Sequence, residues 1–327
     1  MNAKKFLIKN LSYSLLLLLA LAQPVRAACS ASSTTTPSLI NIGTYPSQSV
    51  PAGGLSSNGS SSSATFSITC SIGLTLQLLS TTTWVRYTAQ QALTLSNGTD
   101  TISYTIASNS TYTPAITTAG GSVGGPTGFS LIALGVLTSG HVDIPIFIKT
   151  LSTTLWPNAG TYTGTQTLAV DGVICTGIGL PGVCVGSDTV SSNVTISLKL
   201  VVTKSCEFIS TPTLVDFGTV SFLENATTMQ LNATLRCTRL EDYVFYADNG
   251  NNYASSTRNL KSAAGNLIAY SLMQPASPTV PLNSTNSLAR VGTGASEALS
   301  IPVKIATGQA TPIAGTYTDN VRMVIEY

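Results

Sequence analysis

The sequence predicts an all-β protein made of two tandem β-sandwiches, the second lacking its last strand. Three observations predict it. Short runs alternate apolar with small polar residues, are rich in Val, Ile, Thr and Tyr, and are punctuated by Gly, Pro and Asn. A set of landmarks occurs twice in one order. The second set is the shorter. Gly160-Thr161-Tyr162-Thr163-Gly164 is followed by a long stretch before Cys206, but Gly315-Thr316-Tyr317-Thr318-Asp319 is followed only by Asn320 to Tyr327.

The first 27 residues read as an export signal. Lys4, Lys5 and Lys9 form a basic start, and Leu15 to Ala22 form an apolar core of eight residues, too short to span a bilayer. Val25-Arg26-Ala27 is an acceptable cleavage site, leaving Ala28-Cys29 as the mature start; Arg26 fits lipid attachment at Cys29 poorly. No later run reaches the ~18 apolar residues of a membrane span. Without Lys4, Lys5, Lys9 and Arg26, the 15 basic residues fall to 11 against 13 acidic ones, a net charge of −2. The basic balance of the whole chain belongs to the signal, and no nucleic-acid partner is expected. From Ala28 to Val190 the charges are only Arg86, Lys149, Asp100, Asp143, Asp171 and Asp188, a surface suited to an uncharged partner.

Six cysteines follow the signal, as expected of disulfides in an exported protein. The repeat pairs Cys29 with Cys70 and Cys206 with Cys237, leaving Cys175 and Cys184 to close a short loop. A zinc site is disfavoured by a single histidine and the lack of a Cys-x-x-Cys motif, and no metal or cofactor is expected. Strands are expected at Thr65–Thr69, Leu74–Leu78, Ile102–Ile106, Tyr162–Val170 and Val190–Val202. The last of these puts Val194, Ile196, Leu198 and Leu200 on one face. Repeated landmarks align Asn41–Tyr45 with Asp216–Val220, Thr99–Ile106 with Gly265–Leu272, and Ile144-Pro145-Ile146 with Ile301-Pro302-Val303. Short alternating strands at this spacing suit immunoglobulin-like sandwiches, one over residues 28–203 and one over 204–327.

In the first copy, Val190 to Val202 closes the sandwich. The second has no counterpart, so an edge of unpaired backbone and part of its core are expected to lie open, and such edges are covered or used. Covering one with a strand from another chain is β-strand addition. The groove would be walled by Val321, Met323, Ile325 and Tyr327.

Residues 204–327 resemble a spore coat protein U-type domain, the pilin domain of archaic chaperone–usher pili. The resemblance rests on Cys206, Phe217-Gly218, Cys237, Asp248-Asn249-Gly250, Arg258, Tyr270-Ser271-Leu272 and Ala314 to Asp319. The first copy matches more loosely and lacks equivalents of Arg258 and the Asp-Asn-Gly turn. In that family, shaft subunits donate an N-terminal strand to their neighbours. A mature chain starting at Ala28-Cys29 has nothing ahead of the domain to donate, so the resemblance implies a tip subunit. Two-domain tip subunits of the family are adhesins. The implied partners are the donor strand of the adjacent pilin, a periplasmic chaperone, an outer-membrane usher, and an abiotic or host surface. The implied course is export through the periplasm to the pilus tip, with a role in attachment and biofilm formation.

Adhesion would sit at the pole away from residue 203. Counting antiparallel strands brings three connections there: Ser71-Ile72-Gly73, Ser108 to Val142, and the Cys175–Cys184 loop. The loop carries Ile178, Leu180 and Val183 without a charge; with Ile72, Val123 and Phe129 these are the candidate contact residues. Loops ordinarily face water, and burying such apolar surface is worth ~25 cal/mol per Å². The alternatives are a lectin-like site using Trp84, Tyr87, Tyr112 or Trp156 to stack on glycans, and a structural pilus or coat subunit without ligand. The same count puts Trp84 and Trp156 at the near pole. An enzyme is not expected: His141 beside Asp143 has no identifiable nucleophile among so many serines.

Overall fold

In a computed structural model, residues 29–33, 39–56, 64–70, 84–126, 141–180 and 183–327 are described, with backbone alone for 33, 141, 142, 175–180 and 183–186. The expected export signal, the strand expected at Leu74–Leu78, Ile72 and Phe129 lie outside the described residues. So do the side chains of Ile178, Leu180 and Val183 and the Cys175–Cys184 pairing.

The first half contains β1 (Cys29–Ser33), β2 (Leu39–Pro46), β3 (Ala64–Cys70), β4 (Trp84–Ala89), β5 (Thr94–Ser96), β6 (Thr101–Ala107), β7 (Ala115–Ile116), β8 (Ser122–Gly124), β9 (His141–Thr150), β10 (Gly160–Leu180) and β11 (Val183–Thr203). Their ladders run β2-β11-β1-β3-β9-β6-β5-β10-β4-β8, with β7 on β6. β10 also pairs antiparallel with β11, so the ladders return on themselves. β11 carries this return: one edge lies on β10, and the other meets β2 in parallel along Ser197–Thr203 and β1 at Val190, leaving β2 and β8 as the ends of the path. The predicted alternation holds here. Val194, Ile196, Leu198, Leu200 and Val202 are each at most 2% exposed.

The second half contains β12 (Cys206–Ser210), β13 (Met229–Cys237), β14 (Asp242–Ala247), β15 (Arg258–Ser262), β16 (Leu267–Gln274), β17 (Ser277–Pro281), β18 (Leu288–Val291), β19 (Glu297–Ile305), β20 (Tyr317–Thr318) and β21 (Met323–Glu326). One sheet runs β12-β13-β19-β16-β15-β20 with β17 on β16; the other is β18-β14-β21. The core clusters fall apart in sequence, the first ending at Val202 and the second starting at Leu235.

The aligned landmarks occupy equivalent places. β9, carrying Pro145, lies between β3 and β6; β19, carrying Pro302, lies between β13 and β16. β10 meets β5 at Thr163 and then β4 from Leu168; β20 meets β15 and then β21 meets β14. β8 on β4 corresponds to β18 on β14. The disulfides Cys29–Cys70 and Cys206–Cys237 each join the first strand of a half to its antiparallel partner, as the repeat implied. Among the described residues nothing in the second half corresponds to β11.

Two substitutions on β11 separate its faces. Leu200→Ala empties a fully buried position and is expected to lower stability by about 2–5 kcal/mol. Thr195→Ala, on the exposed face, should change it by less than about 0.5 kcal/mol. Denaturant unfolding followed by tryptophan fluorescence checks both.

Candidate strand-acceptor groove and distal pole

The segment equivalent to β2 joins no ladder in the second half: residues 211–222 form no strand. Leu214 is 75% exposed and Phe222 57%, although Val215 and Phe217 pack against the core. Facing the same core from the other side are Val321, Met323 and Ile325, all half-buried, with Tyr327 exposed. β21 pairs with β14 on one edge, and no described strand pairs its other edge. Among the described residues, 13 partly buried apolar side chains pack on the second core and three on the first. Along the line that β11 fills in the first half, no described strand lies in the second, and these apolar side chains are only partly covered.

The segment leading into β21 is pinned by polar groups. Arg258, 5% exposed, donates from Nε to the Asp248 carbonyl (2.7 Å) and from Nη2 to the carbonyls of Ala247 (2.8 Å) and Leu282 (2.9 Å). Desolvation lowers its pKa, yet the three carbonyls satisfy the buried guanidinium. Asp319, just before β21, accepts from the Asn251 and Asn252 amides (3.0 and 3.1 Å) and from the Tyr270 hydroxyl (2.6 Å). Burial, then the bond to Asp319, pushes the Tyr270 pKa up. Asp248 accepts from the Arg322 amide (2.9 Å). Gly250 is needed in this turn: its φ is +73°, and a Cβ there would lie 2.3 Å from Asp319 Oδ2. The Asp-Asn-Gly turn and Tyr270 thus hold Asp319 and Arg322 against the sandwich, and Arg258 fixes the start of that turn from inside. In the sequence these residues mark the family resemblance; their structural role shows only in the fold.

At the other end of the molecule, the register brings several strand ends to one level. Val190 stands opposite Cys29, Cys29 opposite Cys70, His141 opposite Thr69, and Trp84 opposite Val173. The described ends flanking residues 71–83 and the start of β9 therefore lie at the pole of the β10–β11 turn. Here the expected Cys175–Cys184 loop is corrected. β10 and β11 pair out to Leu180↔Val183, with an irregularity between Cys175 and Ile178, making a hairpin. Its last pairings extend past the final described partner on either side, Trp84 on β10 and Cys29 on β11.

Two further expectations change. Val123 is 2% exposed, on β8 opposite Tyr87, so it belongs to the core and offers nothing to a surface. Trp84 is at the hairpin's pole rather than the near one, half-buried beneath the Arg86 guanidinium at 5.8 Å. The other aromatic candidates do not join it. Tyr87 is fully buried, Tyr112 donates its hydroxyl to the Ile148 carbonyl, and Trp156 is buried near Gly294. Asp143 accepts a hydrogen bond from Ser67 Oγ.

Comparison with known proteins adds the following. No curated protein matches the chain significantly. Among solved structures, a chain of the CsuC–CsuE chaperone–tip adhesion subunit pre-assembly complex, from the archaic chaperone–usher Csu pili of Acinetobacter baumannii, matches with a TM-score of 0.52. It is 18% identical, and the match covers 92% of this chain and 100% of that one. The fold is shared. The CupB6 tip adhesin from Pseudomonas aeruginosa is 14% identical with a TM-score of 0.31, over 80% of this chain and 85% of that one. The Spore Coat Protein U domain family matches twice, at residues 16–169 and 191–324. Matched over most of its length, the chain belongs to the Spore Coat Protein U domain family.

Proposed function

We propose that this protein is a non-enzymatic pilus tip adhesin of a chaperone–usher system. The observation that carries this reading is the contrast between the two cores. The same topology occurs twice, closed by β11 in residues 28–203 and open between 211–222 and β21 in residues 204–327. The second half, as a pilin domain, accepts the N-terminal donor strand of an adjacent pilin, held before that by a periplasmic chaperone and delivered by an outer-membrane usher. Val321, Met323, Ile325 and Tyr327 line the acceptor. Residues 1–27 direct export, and the protein ends at the cell surface, on the pilus tip. A solved structure whose fold the chain shares is a chaperone–tip adhesion subunit pre-assembly complex.

The first half is the adhesin domain. Its β10–β11 hairpin carries Ile178, Leu180 and Val183 at the distal pole, and the connections containing Ile72 and Phe129 start or end there. Apolar contact by this pole attaches the cell to an abiotic or host surface, multiplied by avidity over many pili, and supports biofilm formation. A lectin-type reading draws support from Trp84 at the same pole, where a half-buried aromatic face could stack on a sugar.

Replacing Ile178, Leu180 and Val183 together with Ser is expected to abolish binding to plastic while electron microscopy still finds pili; undiminished attachment sinks the apolar reading. A signal on a glycan array that disappears with Trp84→Ala would move the assignment to a lectin. For the acceptor, Ile325→Asp should stop co-purification with the chaperone and incorporation into pili. Arg258→Met leaves three carbonyls without their donor and should destabilise the second half by roughly 3 kcal/mol or more. Its signature is faster proteolysis after residue 204 than before it.

A further inference from the structure

We propose that the junction between the two sandwiches is a fixed elbow, which keeps the distal pole in one orientation relative to the acceptor groove. Its purpose rests on the tip-adhesin reading; its geometry does not. Domains joined by a short linker are expected to move unless further contacts restrain them, and here three sets of contacts do so.

The first is the linker. Only Lys204 and Ser205 separate β11 from β12. Ser205, 4% exposed, donates its amide to Thr238 Oγ1 (2.8 Å) and accepts at its carbonyl from the Thr238 amide (2.9 Å). Its Oγ accepts from the Gln48 amide of the first sandwich (3.1 Å). Lys204 pairs with Glu241 at 2.7 Å. The second is Trp156. Its amide donates to the Gly294 carbonyl (2.9 Å), and its ring, 2% exposed, lies 5.5 Å from the Arg236 guanidinium. Gly294 has φ +75°, and a Cβ there would stand 2.4 Å from the Trp156 carbonyl oxygen, so any side chain would wedge the sandwiches apart. The third is the ion pair of Arg239 with Asp100. Asp100 also accepts from the Asn158 amide (2.8 Å), and Asn158 Oδ1 from the Tyr162 hydroxyl (2.7 Å), which ties the pair to the first core. The contacts come from three separate connections of the first sandwich, around residues 48, 100 and 156. Rotation about any one of them breaks another.

The protein has two tryptophans, one at the junction and one at the distal pole, so fluorine NMR of the full chain labelled with 5-fluorotryptophan reads the elbow directly. Trp84→Phe assigns the lines. The expected result is one narrow Trp156 line, unmoved on exchange from H2O to D2O. Gly294→Ala should shift or split that line and broaden the small-angle scattering distance distribution, with the Trp84 line unchanged. Should that variant fail to fold, Arg239→Ala, at a partly exposed site, is expected to act in the same direction. A doubled or solvent-sensitive Trp156 line in the unaltered protein would overturn the proposal. So would both variants, or the one that folds, leaving line and scattering unchanged. A rigid junction in a protein that attaches to nothing would refute the adhesin reading and leave the elbow standing.

Discussion

A sheet cannot leave apolar positions and backbone donors open along an edge without consequence, and this constraint organises both halves of the molecule. In the first, β11 answers it within the chain: β10 and β2 take its two edges, and Val194 to Val202 fill the space between the sheets. Among the described residues the second half has no strand in that place, and the neighbouring segments differ from those of the first half. The segment equivalent to β2 loses its ladder, Leu214 and Phe222 turn to solvent, and side chains on both flanks are only half covered.

The second half fastens its C-terminal segment with polar contacts. A strand with one unpaired edge is held less firmly than a central one, and residues 318–322 are fastened instead through Asp319, Tyr270, Asn251 and Asn252. Arg258 ties the turn after β14 to the loop before Asn283 from inside. Charge is uneven as well: between Ala28 and Val190 there are two basic residues, and after Val190 there are nine.

Much of the fold was legible in the sequence because duplication writes each landmark twice. Cys29 and Cys206, Pro145 and Pro302, and the paired Gly-Thr-Tyr-Thr words fell on equivalent strands, and the alternation from Val194 to Leu200 is its buried face. Other features were hidden for identifiable reasons. Glycines interrupt alternation between Cys175 and Cys184, so a hairpin read as a loop. Val123 sits among so many glycines that its residue type alone could not report a short buried strand. Counting Leu74–Leu78 as one crossing strand put Cys70 and Trp84 at opposite poles, whereas register sets both at the distal level. The junction left no periodic signal: Gly294 and Arg239 matter through what they meet in space, not through their neighbours in the chain.

β11 has one more consequence, which is mechanical. It runs without interruption from the hairpin tip at Val183 to Thr203, two residues from the first strand of the second sandwich. A pull between the hairpin tip and the second sandwich is therefore directed along the strand. Its hydrogen bonds to β10 and β2 lie across that direction and are loaded together in shear, whereas bonds peeled from one end would fail one after another. The strand that completes the core is also the molecule's tensile member.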